Sequence, residues 1–564
     1  MSIKVHLDAE WRNWLRLSHT RPMLRNLIYG AILFLTVYTL FNLSSLKTSQ
    51  FSIFPGTKDS GEVVSAEVWS SRADQVKQAF RHAYSGYVRY AAPADELAPL
   101  RNSGINVFNG WGATAFDSLD TMLLMGLDDE YKHALDIVKK ADLSRAEPHF
   151  VPFFETVIRY LGGLLSAYAL SKDVILLDKA EELVRRLDPI FETPTGMPYF
   201  SVNPKTGEHW GPDIGILAEI ASLQLEYAYL AKLTGKVEHY NRSEAVMKAL
   251  SSADLRYTSD IRATTYIITN LLYLSPTRNL LYVTDAIAGS YNQQDTPSHI
   301  QEHLSCFFPG LLALGAHTLP LDNLAGMGVD FEALANTDSY GLGGQGYAKI
   351  RGYNLKELHM WAAKGLGQTC WATYADQPTG LGPEEILMQI RTGQKTWMAA
   401  GGTWSQKPVS YLWIDAVEKW RQSGGKGVLP GLADPKPVLT STGRDYTMRK
   451  SSYLLRPETI ESMYLLWKVS GDVKWRMRGW RVFEAIERET KTASGYASVV
   501  SVDMAGGSKR DSMPSYFLAE TLKYLYLMFR DDDPISLDEW VFNTEAHPFP
   551  VFKWTAEERA RFNV

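Results

Sequence analysis

The chain has 564 residues, a mass of 63.4 kDa, 58 Lys and Arg against 63 Asp and Glu, and only two cysteines. With a formal charge of -5 and a pI near 6.2 it lacks the surplus of positive charge that a phosphate backbone demands, which argues against nucleic acid as a partner. An apolar fraction of 45% excludes a disordered chain, and two cysteines exclude a disulfide-built scaffold or a multi-cysteine zinc framework.

In chain order, the first predicted element is a membrane helix. Asn26 to Leu46 is a run of 21 uncharged residues, long enough to cross a hydrocarbon layer of about 30 Å. Lys4, Arg12, Arg16, Arg21 and Arg25 precede it, while Lys47, Asp59 and Glu62 follow, so residues 1–25 read as a cytosolic tail and 26–46 as a type II signal anchor rather than a cleaved leader. Residues 47–71, rich in Ser, Thr and Gly, read as a stem, and 72–564 as a lumenal domain. Asn241-Arg-Ser243 is an acceptor sequon that has meaning only with that topology.

From Arg72 onward apolar residues recur at helical spacing and strand-like alternation is scarce. Three stretches share a helix–turn–helix design: Gly162 to Leu187 through Leu170-Ser-Lys-Asp173, Leu217 to Leu250 through Leu233-Thr-Gly-Lys236, and Glu461 to Glu489 through Val469-Ser-Gly-Asp472. Their spacing is too uneven for a solenoid, and the expected architecture is all-α, a closed toroid of helical hairpins.

Several carboxylates stand in apolar surroundings. Glu155 and Arg159 lie four apart in Phe153-Phe-Glu-Thr-Val-Ile-Arg-Tyr-Leu-Gly-Gly163, a spacing that by itself equally describes an intrahelical ion pair. Leu454-Leu-Arg-Pro-Glu-Thr-Ile-Glu-Ser462 puts Glu458 and Glu461 in a first helical turn, where the helix dipole favours anions. Glu219, Glu384 and Glu520 repeat the pattern, and five such segments together point to a shared acidic cavity.

These blocks resemble glycoside hydrolase family 47, the class I α-1,2-mannosidases of the secretory pathway. The resemblance runs from Asp95-Glu-Leu97 and Gly110-Trp-Gly-Ala-Thr-Ala-Phe-Asp-Ser-Leu-Asp-Thr-Met-Leu-Leu-Met-Gly126, through Glu302-His-Leu-Ser-Cys-Phe-Phe-Pro-Gly310 and Asp511-Ser-Met-Pro-Ser-Tyr516, to Val541-Phe-Asn-Thr-Glu-Ala-His-Pro548. It implies an (α/α)7 barrel and an inverting hydrolysis of high-mannose N-glycans, in which Glu155 is the acid, acting through a water, and Glu458 the base. It also implies a calcium ion held by Thr544, and a substrate cavity lined by Glu219, Glu384, Glu461, Glu520 and Glu545 with Arg159, His303 and Arg456 as orienting groups. Cys306 and Cys370, which from spacing alone are as readily free thiols, are by resemblance a disulfide. The implied compartment is the ER or Golgi membrane.

The chain departs from the family at one place. A signature of the form Ala-Asp-Ser-x-Tyr-Glu-Tyr-Leu-Leu-Lys, carrying the third catalytic carboxylate, is missing, and Val246 to Tyr257 reads as one family element joined to a much later one near Asp254 and Leu255. Asp254 and Asp260 are the nearby carboxylates, neither in the right motif. The loss is expected to leave a gap in the ring with apolar faces uncovered, and it keeps open a mannose-binding, lectin-like protein of the same fold as the alternative function. Pro514 and Tyr516 stand where many relatives have Glu and Phe.

Overall fold

A computed structural model describes residues 64–564 apart from 148, 212–215, 253–259, 288–295, 325–329, 331–345, 347, 399–402 and 410. The expected tail, anchor and most of the stem, and with them Asp254, lie outside the described residues, among which no helix is long and apolar enough to cross a membrane. The first helix begins at Ala66, inside the stretch read as stem, because its apolar positions Trp69, Ala73, Val76 and Phe80 already keep helical spacing and pack inward.

The helices pair as hairpins: α1 (Ala66–Tyr90), α2 (Ala113–Met125), α3 (Asp128–Lys140), α4 (Gly162–Ser171), α5 (Val174–Leu187), α6 (Gln224–Thr234), α7 (Val237–Ser252), α8 (Asp260–Asn270), α9 (Phe308–Thr318), α10 (Leu355–Ala375), α11 (Trp413–Gln422), α12 (Glu458–Ser470), α13 (Lys474–Glu489) and α14 (Leu522–Met528). The three turns expected from sequence are where they should be. Lys172, Gly235 and Gly471 end α4, α6 and α12 in the left-handed conformation, and the two glycines meet that requirement without a Cβ penalty.

An inner layer runs α6, α4, α2, α14, α12, α9, with α2 meeting α14 through residues Phe517–Thr521 that lead into it, and an outer layer of α7, α5, α3, α1, α13 and α10 covers them in the same order. Inner helices such as α2 are buried almost all round, whereas an outer helix such as α5 buries one stripe, Leu176, Ala180, Leu183, Val184 and Leu187. That is six complete hairpin pairs among the described residues, against the seven that the resemblance implies. The seventh is incomplete: α8 follows the junction at 253–259 and packs closely on α11 and strand Leu272–Leu274, with no inner helix closely paired to it among the described residues. The two ends of the inner layer, α6 and α9, flank this break in sequence, and Leu304, Phe307 and Leu311, at i, i+3 and i+7 leading into α9, are each more than 40% exposed.

Short strands fix the loops around the inner end. Ile300–Glu302, Glu385–Met388 and Tyr446–Lys450 form one antiparallel sheet, and the His303 N–H donates to the Glu384 carbonyl at 2.9 Å, which sets those two residues side by side. The hairpin of Trp540–Phe542 and Pro548–Pro550 pushes its tip, 543–547, against α4. Gly162 makes room for it, since a Cβ there would lie 2.7 Å from the Asn543 amide nitrogen, and Gly163 makes room for α2, where a Cβ would lie 2.5 Å from the Phe116 carbonyl oxygen. Cys306 and Cys370 are joined in a disulfide that ties the start of α9 to α10.

Candidate active site

Glu155 sits where a short helical turn passes into a π-helical segment, Thr156–Leu161, that continues as α4. A second π-helical segment, Phe517–Thr521, carries Glu520 into α14. Such insertions rotate the side chains that follow and concentrate at functional sites, and a reading at the ordinary helical period has no means of placing them. The Glu155 and Arg159 pair is real, with Nε to Oε2 at 2.8 Å, but it is one link of a larger cluster. The Arg159 guanidinium also bonds Glu545, lies 3.6 Å from Asp117 and stacks over Phe108 at 4.6 Å. Asp117 in turn accepts from the Ser515 hydroxyl. Arg159 therefore joins three inner elements and the terminal hairpin.

Glu458 opens α12 just after Leu455, a residue with φ of +63°. Its Oε2 is 2.8 Å from His303 Nδ1, and the other ring nitrogen of His303 lies 2.6 Å from the buried Tyr374 hydroxyl. Arg456 spans Glu384, at 3.0 and 2.9 Å to its two oxygens, and Glu458, at 3.6 Å. Tyr516, one of the departures from the family pattern, lies beneath the Arg456 guanidinium and donates its hydroxyl to the Leu454 carbonyl at 2.7 Å, bracing the loop before Glu458.

Burial pushes the Glu458 carboxyl up, yet the hydrogen bond from His303 and the charges of His303 and Arg456 outweigh it and hold the group below its ordinary value. Its neighbours go the other way. Burial, then the Glu458 charge, lifts Glu461 to about 8. Burial lifts Glu545 to about 8 against the pull of Arg159, and burial with the charges of Glu545, Glu458 and Glu461 raises Glu520 well above the carboxylate range. Glu520 thus faces both the Arg159 group and the Glu458 group, which makes them one site. Glu219 joins at the rim, raised by burial and then by the Glu155 charge. An ionised carboxylate among protonated ones is how a site separates base from acid functions.

Thr544 is exposed at the tip of the terminal hairpin, between the buried Asn543 and Glu545. Among the described residues no cluster of three or more His, Cys, Asp or Glu converges as a metal cage. The donor set still suits a hard cation bound by one hydroxyl and carbonyl together with ordered water, because the adjoining Glu545 carboxylate offers oxygen acceptors to such waters.

The structure therefore brings together Glu155, Arg159, Glu219, His303, Glu384, Arg456, Glu458, Glu461, Glu520 and Glu545. Asp117, Tyr374 and Ser515 were not singled out by sequence: Asp117 and Ser515 lie in runs that carry the resemblance without a role of their own, and Tyr374 lies in a run that reads as ordinary core. Asp260 opens α8, which is not one of the elements that carry the cluster.

Comparison with known proteins decides the family. The profile of glycosyl hydrolase family 47 matches residues 79–270 and 256–551. The chain belongs to glycosyl hydrolase family 47. It is a glycoside hydrolase by family, and the profile match breaks into two overlapping segments just where the aspartate signature is missing. Among its relatives this family 47 chain is 31% identical over 537 residues to mannosyl-oligosaccharide alpha-1,2-mannosidase IA of Drosophila melanogaster, covering 85% of this chain and 67% of that one. It is 31% identical over 527 residues to mannosyl-oligosaccharide 1,2-alpha-mannosidase MNS1 of Arabidopsis thaliana, covering 85% and 79%. The solved alpha-1,2-mannosidase from Trichoderma reesei superposes with a TM-score of 0.63 at 26% identity, over 86% of this chain and 99% of that one.

Proposed function

We propose that this chain is a calcium-dependent, inverting α-1,2-mannosidase that trims high-mannose N-glycans of glycoproteins, held by its N-terminal helix in the ER or Golgi membrane with the catalytic domain in the lumen. The observation that carries the reading is Glu458, held ionised by His303 and Arg456 in the same cavity as Glu155 and the protonated Glu461, Glu520 and Glu545.

Inversion needs an acid and a base on opposite faces of the sugar, far enough apart, about 6.5 to 9.5 Å, for a water between base and anomeric carbon. Glu458 takes the proton of that water as it attacks. Glu155, oriented by Arg159, supplies a proton to the leaving oxygen through a second water. Arg456 donates hydrogen bonds to sugar hydroxyls and Glu384 accepts them, while Glu219 and Glu520 order the waters. Calcium bound at Thr544 would supply a positive charge that polarises its waters and binds vicinal sugar hydroxyls, while Glu545 and Glu461 orient those waters.

Removal of calcium by a chelator is expected to abolish mannose release from a high-mannose N-glycan, and added calcium to restore it. Release unaffected by chelation would refute the calcium dependence. The broken profile match favours one other reading, a lectin-like protein that retains the pocket without turnover; glycan binding with no release, calcium present, would select it.

A further inference from the structure

Two buried grips converge on the hairpin tip that carries Thr544. On one side the Lys523 ammonium, in α14, donates to the Ala546 carbonyl at 2.6 Å, and it lies 2.9 Å from Asp120 of α2. Asp120 also accepts from His547 Nδ1 at 2.8 Å and from the Ser166 hydroxyl at 2.9 Å. Asp120, Ser166, Lys523 and His547 are all fully buried. On the other side the Asn543 amide donates to the Ile158 carbonyl at 3.0 Å and to Glu226 Oε1, in α6, at 2.8 Å, while its oxygen accepts from the backbone N–H groups of Glu545 and His547. Ala546 holds a φ of +58°, a conformation that a non-glycine residue keeps only where its surroundings impose it.

The placement is costly. Four ionisable side chains, Asp120, Glu226, Lys523 and His547, are withdrawn from water, and these bonds hold the tip rather than Glu155 or Glu458; the other ring nitrogen of His547 lies 3.6 Å from Asp117. Buried charges are weak evidence for stability, since apolar replacements of similar volume often serve as well. What they give is position, because each bond fixes one atom of the tip.

We propose that Glu226 and the Asp120–Lys523 pair are positioning residues: by holding Asn543 and Ala546 they present the Thr544 hydroxyl and carbonyl in a fixed, cation-binding geometry. The proposal rests on the calcium reading of Thr544, and two readouts separate them. The first is amide hydrogen exchange at residues 544–547 of the calcium-free full chain, which reports the grip whether or not calcium binds. The second is calcium affinity by titration calorimetry.

Glu226→Ala is expected to speed exchange at the tip at least about tenfold while the amides of α12 keep their wild-type protection, and to weaken calcium binding by a similar factor. Glu226→Gln keeps the acceptor for Asn543 and is expected to retain both wild-type values, a rescue that a mere volume effect would not show. Should Glu226→Ala fail to fold, Asp120→Asn with Lys523→Met, which leaves no unpaired charge between the two, tests the other grip by the same readouts. Tip exchange unchanged in a folded variant would overturn the proposal. Faster tip exchange in a protein whose wild type binds no calcium would instead retain the grip and overturn the calcium reading.

Discussion

Replacing the proposed base, Glu458→Gln, is expected to slow mannose release by about a thousandfold, the usual weight of a positioned proton acceptor, while leaving glycan binding and the folded state intact. The amide has the size of the carboxyl, so Arg456 keeps its bonds to Glu384 and the side chain still meets His303. What is lost is the negative charge that takes the proton from water. The charge also raises Glu461 and Glu520, so its removal eases their burial, and the thermal midpoint is expected to hold or rise. Steady-state release together with glycan affinity checks this: kcat falls and Kd stays. A variant that turns over within about tenfold of wild type would assign the base elsewhere.

The second large effect belongs to Arg159→Met. Arg159 is 7% exposed, serves Glu155, Glu545 and Asp117, and is held charged because those carboxylates outweigh its burial. Removing one partner from a buried ionic cluster typically costs about 3 to 5 kcal/mol, since the remaining charges are left uncompensated. The sign with pH follows. Without the cation, the folded-state pKa values of Glu545 and Glu520 rise further above their unfolded values, so the folded state holds extra protons and stability falls as pH increases from about 5 to about 8. Denaturant unfolding of the variant at those two pH values is therefore expected to show the larger deficit at the higher one. An equal loss at both would mean that Arg159 acts by packing on Phe108 rather than by charge.

Both effects centre on residues that sequence could name without explaining. The hairpins were legible because Gly235, Gly471 and the amphipathic stripes of α5 and α13 are local signals. Glu458 and Glu461 were legible as a pair in a first turn, though their opposite proton affinities come from His303, which is 155 residues distant from Glu458 in sequence. The link of Arg159 to Glu545 spans 386 residues and passes through a π-helical segment, and neither distance nor helical phase is written in the local pattern. Asp120, Lys523 and His547 were hidden for a related reason: they come from an inner helix, another inner helix and the terminal hairpin, far apart in sequence, and only their meeting shows what they hold. The (α/α)7 expectation came from relatives, and six complete pairs with an unpaired α8 are what this chain's own helices form among the described residues.

The aspartate signature absent between Val246 and Tyr257 makes turnover itself the central question. The most direct measurement is proton NMR of a high-mannose N-glycan during the first minutes of incubation with the purified full-length chain and calcium. Hydrolysis with inversion by Glu155 and Glu458 predicts free mannose that appears first as the β anomer and then mutarotates. Mannose that appears first as the α anomer, or a glycan that binds and stays whole, would contradict it.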